Sequence, residues 1–291
     1  GTTAELITTT TKSENGYLNF PMCTGNVCDK NGYSHYVVYR DNSFPIHVMT
    51  SATGASIERT LPAPAYYSSA ITGIASVLDK IQFVYNEFQG PGLYRVFWGN
   101  ESVLYSVGHV DSYVHRQFIE FDENHIFILS SADSYSDCWV ERVIAGTDDA
   151  NTIIVGLPSG EKPTGFVWGG KLVLFTVATP IITFKTYDPL TLAQEGTFSV
   201  SVSGMSTDYN SYLLRRVSLL GDVLTILDAA SGDNVVRVNL ATLTGAAQSI
   251  PSIGPINSRP DSNMKDLGGV IRVGVSNPSG ATTTKSIYTI T

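Results

Sequence analysis

Arg216–Ile250 reads RVSLLGDVLTILDAASGDNVVRVNLATLTGAAQSI. Four short apolar runs lie in it, at 216–220, 223–229, 235–240 and 246–250. The first two are split by Gly221-Asp222, and the second and third by Ser231-Gly232-Asp233-Asn234. Gly and Asn tolerate positive φ, so both breaks predict tight turns between antiparallel strands. The stretch therefore predicts one four-stranded antiparallel sheet.

The same grammar recurs upstream. Gly165–Gly170, Leu172–Ala178, Ile181–Tyr187 and Gly196–Val202 make one copy. Gln117–Phe121, Ile126–Ser130, Trp139–Ile144 and Thr152–Val155 make another, turning at Asp122-Glu123-Asn124. Ser76–Leu78, Ile81–Tyr85, Leu93–Trp98 and Ser102–Val107 make a third. A fourth runs from Tyr17–Phe20 through Ser34–Tyr39 and Ile46–Thr50 to Ser56–Leu61. The second strands begin near Tyr36, Ile81, Ile126, Leu172, Val223 and Val270, at steps of 45, 45, 46, 51 and 47. A 40–50-residue period with four strands per unit is the mark of a β-propeller. The last copy is short: Lys265–Gly269, Val270–Val275 and Ile287–Ile290 supply three strands. Glu5–Thr10 alternates and fits no other copy, so it is expected to be the missing outer strand, closing the ring and removing open edges.

The chain thus resembles the six-bladed β-propeller class over its whole length. The expected fold is all-β: one domain, 1–291, with blades at 17–61, 74–107, 116–155, 165–202, 216–250 and 265–291 plus 5–10. The Gly-His…Trp-Asp pair of WD40 repeats is absent, and Gly-Gly occurs only at 169–170 and 268–269.

Composition bounds the function. Apolar residues make up 43% and charged residues only 15%, against about 25% charged in an ordinary chain. Net charge is -8, and no Lys/Arg run provides an electrostatic footprint for nucleic acid. No apolar segment approaches a membrane span, and no signal peptide is evident. Cys23, Cys28 and Cys138 lack zinc-ligand spacing, Asp148-Asp149 lacks a calcium-loop pattern, and no metal or cofactor is expected. Asn100-Glu101-Ser102 matches a glycosylation acceptor. The hydroxyl-rich, low-charge surface resembles phage or virus surface proteins and extracellular adhesins, so the expected location is extracellular or on a virion surface.

Long connections on a rigid ring usually carry function. The longest expected between blades are Asn19–Tyr33, Pro62–Thr72, Gly108–Arg116, Ser203–Leu213 and Pro251–Asn263. They and their borders hold Tyr66, Tyr67, His109, Asp111, Tyr113, Arg116, Asp208, Tyr209, Arg215 and Arg259. Aromatic rings take the apolar face of a sugar, and the polar groups take its hydroxyls. The same mixture suits a protein interface. Tyr66-Tyr67 also suits packing between blades, and the two His residues suit simple solvation. The expectation is a non-enzymatic binder of a cell-surface glycan or protein receptor, with virion proteins as further partners and neither nucleic acid nor membrane insertion. One alternative is a structural docking ring of a virion or tail.

The other alternative is a sialidase-like glycoside hydrolase. Sialidase repeats carry Ser-x-Asp-x-Gly-x-Thr-Trp. Thr50-Ser51-Ala52-Thr53-Gly54-Ala55-Ser56-Ile57 keeps the Gly and a hydroxyl, with Ala52 and Ile57 in place of the Asp and Trp. The resemblance implies an arginine cluster, for which Arg116, Arg215, Arg216 and Arg259 are available, beside Tyr209 and Asp111. It also implies a Glu to activate the Tyr, which these connections lack. Paired carboxylates of ordinary glycosidases are absent too.

Overall fold

A computed structural model describes residues 4–13, 27–28, 33–40, 44–51, 53, 55–60, 70–77, 80–90, 93–99, 104–110, 114–122, 125–132, 138–144, 153–157, 163–205, 217–228, 234–249, 264–266, 270–279 and 282–290. Among them there is no helix, hence none long and apolar enough to cross a membrane.

The chain opens with β1 (Ala4–Ser13). The first sheet follows: β2 (Val27–Cys28), β3 (Ser34–Arg40), β4 (Phe44–Thr50) and β5 (Ser56–Thr60). The second contains β6 (Ala70–Val77), β7 (Lys80–Gly90), β8 (Leu93–Gly99) and β9 (Leu104–Val110). The third contains β10 (Val114–Glu120), β11 (His125–Ala132), β12 (Cys138–Ile144) and β13 (Ile153–Leu157). The fourth contains β14 (Thr164–Trp168), β15 (Lys171–Ala178), β16 (Ile181–Tyr187) and β17 (Gln194–Ser201). The fifth contains β18 (Val217–Leu220), β19 (Val223–Asp228), β20 (Asn234–Asn239) and β21 (Thr244–Ser249). The last contains β22 (Met264–Asp266), β23 (Ile271–Ser279) and β24 (Thr282–Ile290).

Each of these sheets is antiparallel and ordered as in the chain, and β1 pairs with β24 as the fourth strand of the last one. First strands of successive sheets approach one another: β2 and β6, β6 and β10, β10 and β14, β18 and β22, and β22 and β2.

The fourth sheet shows why these sequences make sheets. In β15, Leu172, Val173, Leu174 and Phe175 are all buried, so the run has no polar face. Successive side chains point to opposite faces, and both faces are covered. Leu172 and Leu174 join Tyr187 against Ile119, Phe127, Leu129 and Val140 of the third sheet. Val173 and Phe175 join Phe166, Ile182 and Phe184 against Leu224, Ile226, Val236 and Val238 of the fifth. Phe184 lies 5.6 Å from Phe175 and stacks on Phe198 at 4.9 Å. Burying each such side chain stabilises by about 1.5–3 kcal/mol, so sheet-on-sheet contact dominates. Two glycines mark close approach. A Cβ on Gly165 would run into Ile119 and lie 2.9 Å from Leu174 Cδ2. A Cβ on Gly245 would lie 2.5 Å from Val202 Cγ2. Cys138 is buried at the start of β12.

Several strand assignments differ from expectation. Tyr17–Phe20 lies outside the described residues, and the first strand of its sheet is Val27–Cys28, inside the stretch 19–33 read as a connection. Two residues between Asn26 and Asp29 are too few to show alternation. Gly108–Val110 and Val114–Arg116 are strand, so that connection shrinks to 111–113. The closing strand is longer than 5–10, and β23 and β24 run through Pro278 and the Thr282–Thr284 run. Thr reads as loop chemistry yet fits a pleated surface well. Among the described residues β22 pairs with Ile271–Val273 and does not reach Pro278, and Pro is accepted in a sheet where its missing N–H is not called on by a second neighbour. Pro45 of β4 likewise lies just past the end of its pairing with β5, which begins at Ile46.

Candidate functional site

Antiparallel strands in chain order give each sheet two unlike ends. First-to-second and third-to-fourth turns share one end. Second-to-third turns share the other, where the chain also enters and leaves the sheet. The links between sheets therefore all start and finish at this second end, called here the link end.

Among the described residues, several connections at the turn end are short and close on their own hydrogen bonds. Gly169 and Gly170, with φ of 59° and 72°, connect β14 to β15, the backbone that a two-residue type I′ hairpin demands. Asp188 Oδ1 accepts hydrogen bonds from Leu190 N at 2.9 Å, Thr191 N at 2.7 Å and Thr191 Oγ1 at 2.8 Å. These donors, the Thr191 N–H first, hold the Asp188 carboxyl below the usual carboxylate range. Asn239 Oδ1 does the same work one sheet later, accepting from Ala241 N and Thr242 N at 3.0 Å each. Leu192 and Leu243 follow with φ of 57° and 55°. Asp122 Oδ1 accepts from His125 N at 2.8 Å, and Lys171 pairs with Glu195 at 2.8 Å.

Two arrangements were not legible as sites. Asp222, read as a turn residue, accepts from the Trp168 indole at 2.8 Å and so ties the fourth sheet to the fifth. Its carbonyl accepts from Leu240 N at 2.8 Å. Glu141, only 2% exposed, accepts from Trp139 Nε1 at 3.1 Å. The spacing Trp139-x-Glu141 places both on one face of β12 and is the only signal for the second pair. The first pair is 54 positions apart and leaves none.

The segment with sialidase-like lettering lies between β4 and β5, a third-to-fourth strand turn. Ser51 N donates to Ala55 O at 2.9 Å, and Ala55 N donates to Ser51 Oγ at 3.2 Å. Hydroxyl pairs Ser51–Thr53 and Thr50–Ser56, at 2.9 and 3.0 Å, complete it. Backbone and hydroxyls close this turn, where the sialidase pattern has an Asp at the position of Ala52, and Ile57 is 51% exposed.

At the link end, His109 lies on β9 and Arg116 on β10. These positions flank one short link, 111–113. Tyr66, Tyr67, Asp111, Tyr113, Asp208, Tyr209, Arg215 and Arg259 lie outside the described residues. The base of the link leading to Asp208 and Tyr209 is described. Val202 and Met205 tuck into the core between the fourth and fifth sheets, while Ser203 and Gly204 stay exposed. Val202 N donates to Pro180 O in the neighbouring turn at 2.8 Å. The link thus rises from a fixed footing. Among the described residues no group of three His, Cys, Asp or Glu is placed to hold a metal ion.

No protein-family model matches the chain. No curated protein matches it either. Solved structures do. Aleuria aurantia lectin, in complex with alpha-methyl-L-fucoside, superposes with a TM-score of 0.56 at 11% identity, over 96% of each chain. A subtype N11 neuraminidase-like protein of a flat-faced bat isolate from Peru gives 0.51 at 11% identity, over 91% of this chain and 85% of its own. The Dos1 propeller gives 0.49 at 8% identity, over 91% and 67%. At such identities the likeness is one of fold alone, and this chain is all-β and built of antiparallel sheets.

Proposed function

We propose that the sheets are the blades of a single six-bladed propeller closed by β1, and that the chain is a non-enzymatic binding protein whose link end takes a cell-surface glycan or a protein receptor. Strand order and the approach of β22 to β2 support the closed ring. The observation that carries the binding reading is the common end of the links. Segments rich in Tyr, Arg, Asp and Asn depart from it, while the described turns of the opposite end include those capped by Asp188 and Asn239. Similarity of the whole chain to a fucoside-bound lectin supports a sugar as the ligand. The extracellular or virion-surface setting, the docking-ring alternative and virion partners rest on composition alone.

A sialidase-like hydrolase is the second reading, favoured by the neuraminidase-like neighbour. Against it stand Ala52 at the Asp position and the missing Glu in the connections.

A glycan array probed with the full chain, fucosylated and sialylated glycans included, tests both readings. Binding is expected, and it should fall at least tenfold in Tyr66→Ala, Tyr67→Ala or Tyr209→Ala with the melting temperature held. Binding untouched by all three overturns the assignment of the link end. Turnover of a fluorogenic sialoside, lost in Arg116→Ala, would replace binding with hydrolysis.

A further inference from the structure

β1 differs from the other fourth strands. It comes from the opposite end of the sequence, has β24 as its one strand partner among the described residues, and is tethered to the first sheet through residues 14–26. Its sequence is AELITTTTKS, with apolar residues only at Ala4, Leu6 and Ile7.

β1 pairs with β24 from Ala4 to Ser13 with one irregularity, and its side chains do little to fix that register. Ala4, Glu5 and Leu6 oppose Ile290, Thr289 and Tyr288, then the register shifts between Leu6 and Thr8. Beyond the shift Thr8, Thr9, Thr10 and Thr11 oppose Ile287, Ser286, Lys285 and Thr284. A two-residue slip preserves faces and sets Thr9 and Thr10 against Thr284 and Thr283. Register is strongly specified only where one face of a strand is apolar and buried, and strands polar on both sides are open to alternate pairing and exchange. Departure of β1 would leave β24 an open edge, ready to template another chain.

We propose that the edge of β24 is an exchangeable seat, filled by β1 of the same chain or by β1 of a second copy. This rests on the reading that β1 closes the ring. Exchange replaces each backbone pairing with an identical one, so it costs little beyond association. The connection 14–26 reaches about 40 Å when extended, long enough for β1 to leave its own sheet. Intramolecular closure competes with an effective concentration of roughly 1 mM. At about 10 μM the exchanged dimer should therefore be near 1% of the chains, and near 1 mM it should be comparable with monomer.

The test uses the full chain carrying Thr9→Cys and Ser286→Cys, which are register partners. Opposed strand residues fall within the Cα separation a disulfide requires. The protein is refolded reduced at about 10 μM and about 1 mM, then oxidised, sized and run on a non-reducing gel beside the parent chain. Monomer at low concentration is expected, with a disulfide shown by mass spectrometry. At high concentration a dimer should appear that stays covalent on the gel only in the double-cysteine chain. Absence of a dimer at high concentration, or a dimer that separates into monomers on the gel, overturns exchange. Failure of the disulfide to form in the monomer overturns instead the closure reading beneath it.

Discussion

Gly245→Ala probes the contact between adjacent sheets most directly. Gly245 lies on β21, and an added Cβ would sit 2.5 Å from Val202 Cγ2, 3.4 Å from Val200 Cγ1 and 3.5 Å from Val238 Cγ2. Carbon atoms at rest approach to about 3.5–4.0 Å, so the first contact is roughly 1 Å too short. Val202 cannot swing away easily. It is fully buried, and a β-branched side chain has little rotamer freedom. Either β21 lifts off the fourth sheet or Val202 leaves its rotamer. Overpacking of this kind costs about 1–3 kcal/mol, and replacing Gly by Ala within a strand returns about 0.5–1 kcal/mol of it. The net expectation is a loss of about 1–2 kcal/mol, or roughly 2–8 °C in melting temperature for a chain of this size.

Urea unfolding of four proteins resolves it: parent, Gly245→Ala, Val202→Ala and the double variant. Removing Cγ2 empties the space the new methyl needs, so the double variant should recover about 1 kcal/mol relative to additivity. Gly156→Ala on β13 is the control. No atom lies within 4 Å of its added Cβ, and its stability should hold or rise slightly. A Gly245→Ala chain as stable as the parent, or strict additivity with Val202→Ala, refutes the close approach of the fourth and fifth sheets.

The two left-handed leucines should respond oppositely to Gly. Leu243 is 48% exposed, so Leu243→Gly mainly relieves a backbone cost of about 1–2 kcal/mol and should leave stability equal or up to about 1 kcal/mol higher. Leu192 is 2% exposed within the core of the third and fourth sheets, so Leu192→Gly should lose about 2–4 kcal/mol. Equal shifts for the pair in thermal unfolding would contradict this packing. Asp188 supplies a pH signature. Its folded-state carboxyl lies below the ordinary value, so its contribution is present above the unfolded-state value and lost as pH falls through the folded one. Asp188→Asn should therefore show a shallower acid decline below about pH 4, and a carboxyl titration midpoint at or above the usual value would contradict the cap.

Much of the sheet organisation could be read from Gly169-Gly170, Gly221-Asp222 and the unbroken Leu172–Phe175 run. Turn chemistry and two-sided burial leave local marks there, and both recur at a fixed spacing. The second strands begin at Ser34, Lys80, His125, Lys171, Val223 and Ile271, within two residues of the positions read from apolar onset. What failed was short or chemically ambiguous. Val27–Cys28 has no period to detect, and threonine runs satisfy loop and strand alike. Pro278 signals a break only where both neighbours of a strand are present. The candidate site was legible merely as residue types on connections. Nothing local in Tyr66 or Arg259 distinguishes a ligand contact from a side chain packed between blades. The Trp168–Asp222 tie shows why: it depends on how two sheets stand together, which no window of sequence contains.

Entry and exit at one end of every sheet has a consequence for how such a chain can change. A link that lengthens by several residues still starts and finishes at the same level, so no strand register need shift to accommodate it. The turns capped by Asp188 and Asn239 at the far end have no such freedom, because each of these two side chains fixes its own turn through two or three backbone and hydroxyl donors. Insertions and substitutions can accumulate at one pole while the other preserves the frame. Recognition can then diverge between descendants of this chain faster than their architecture does.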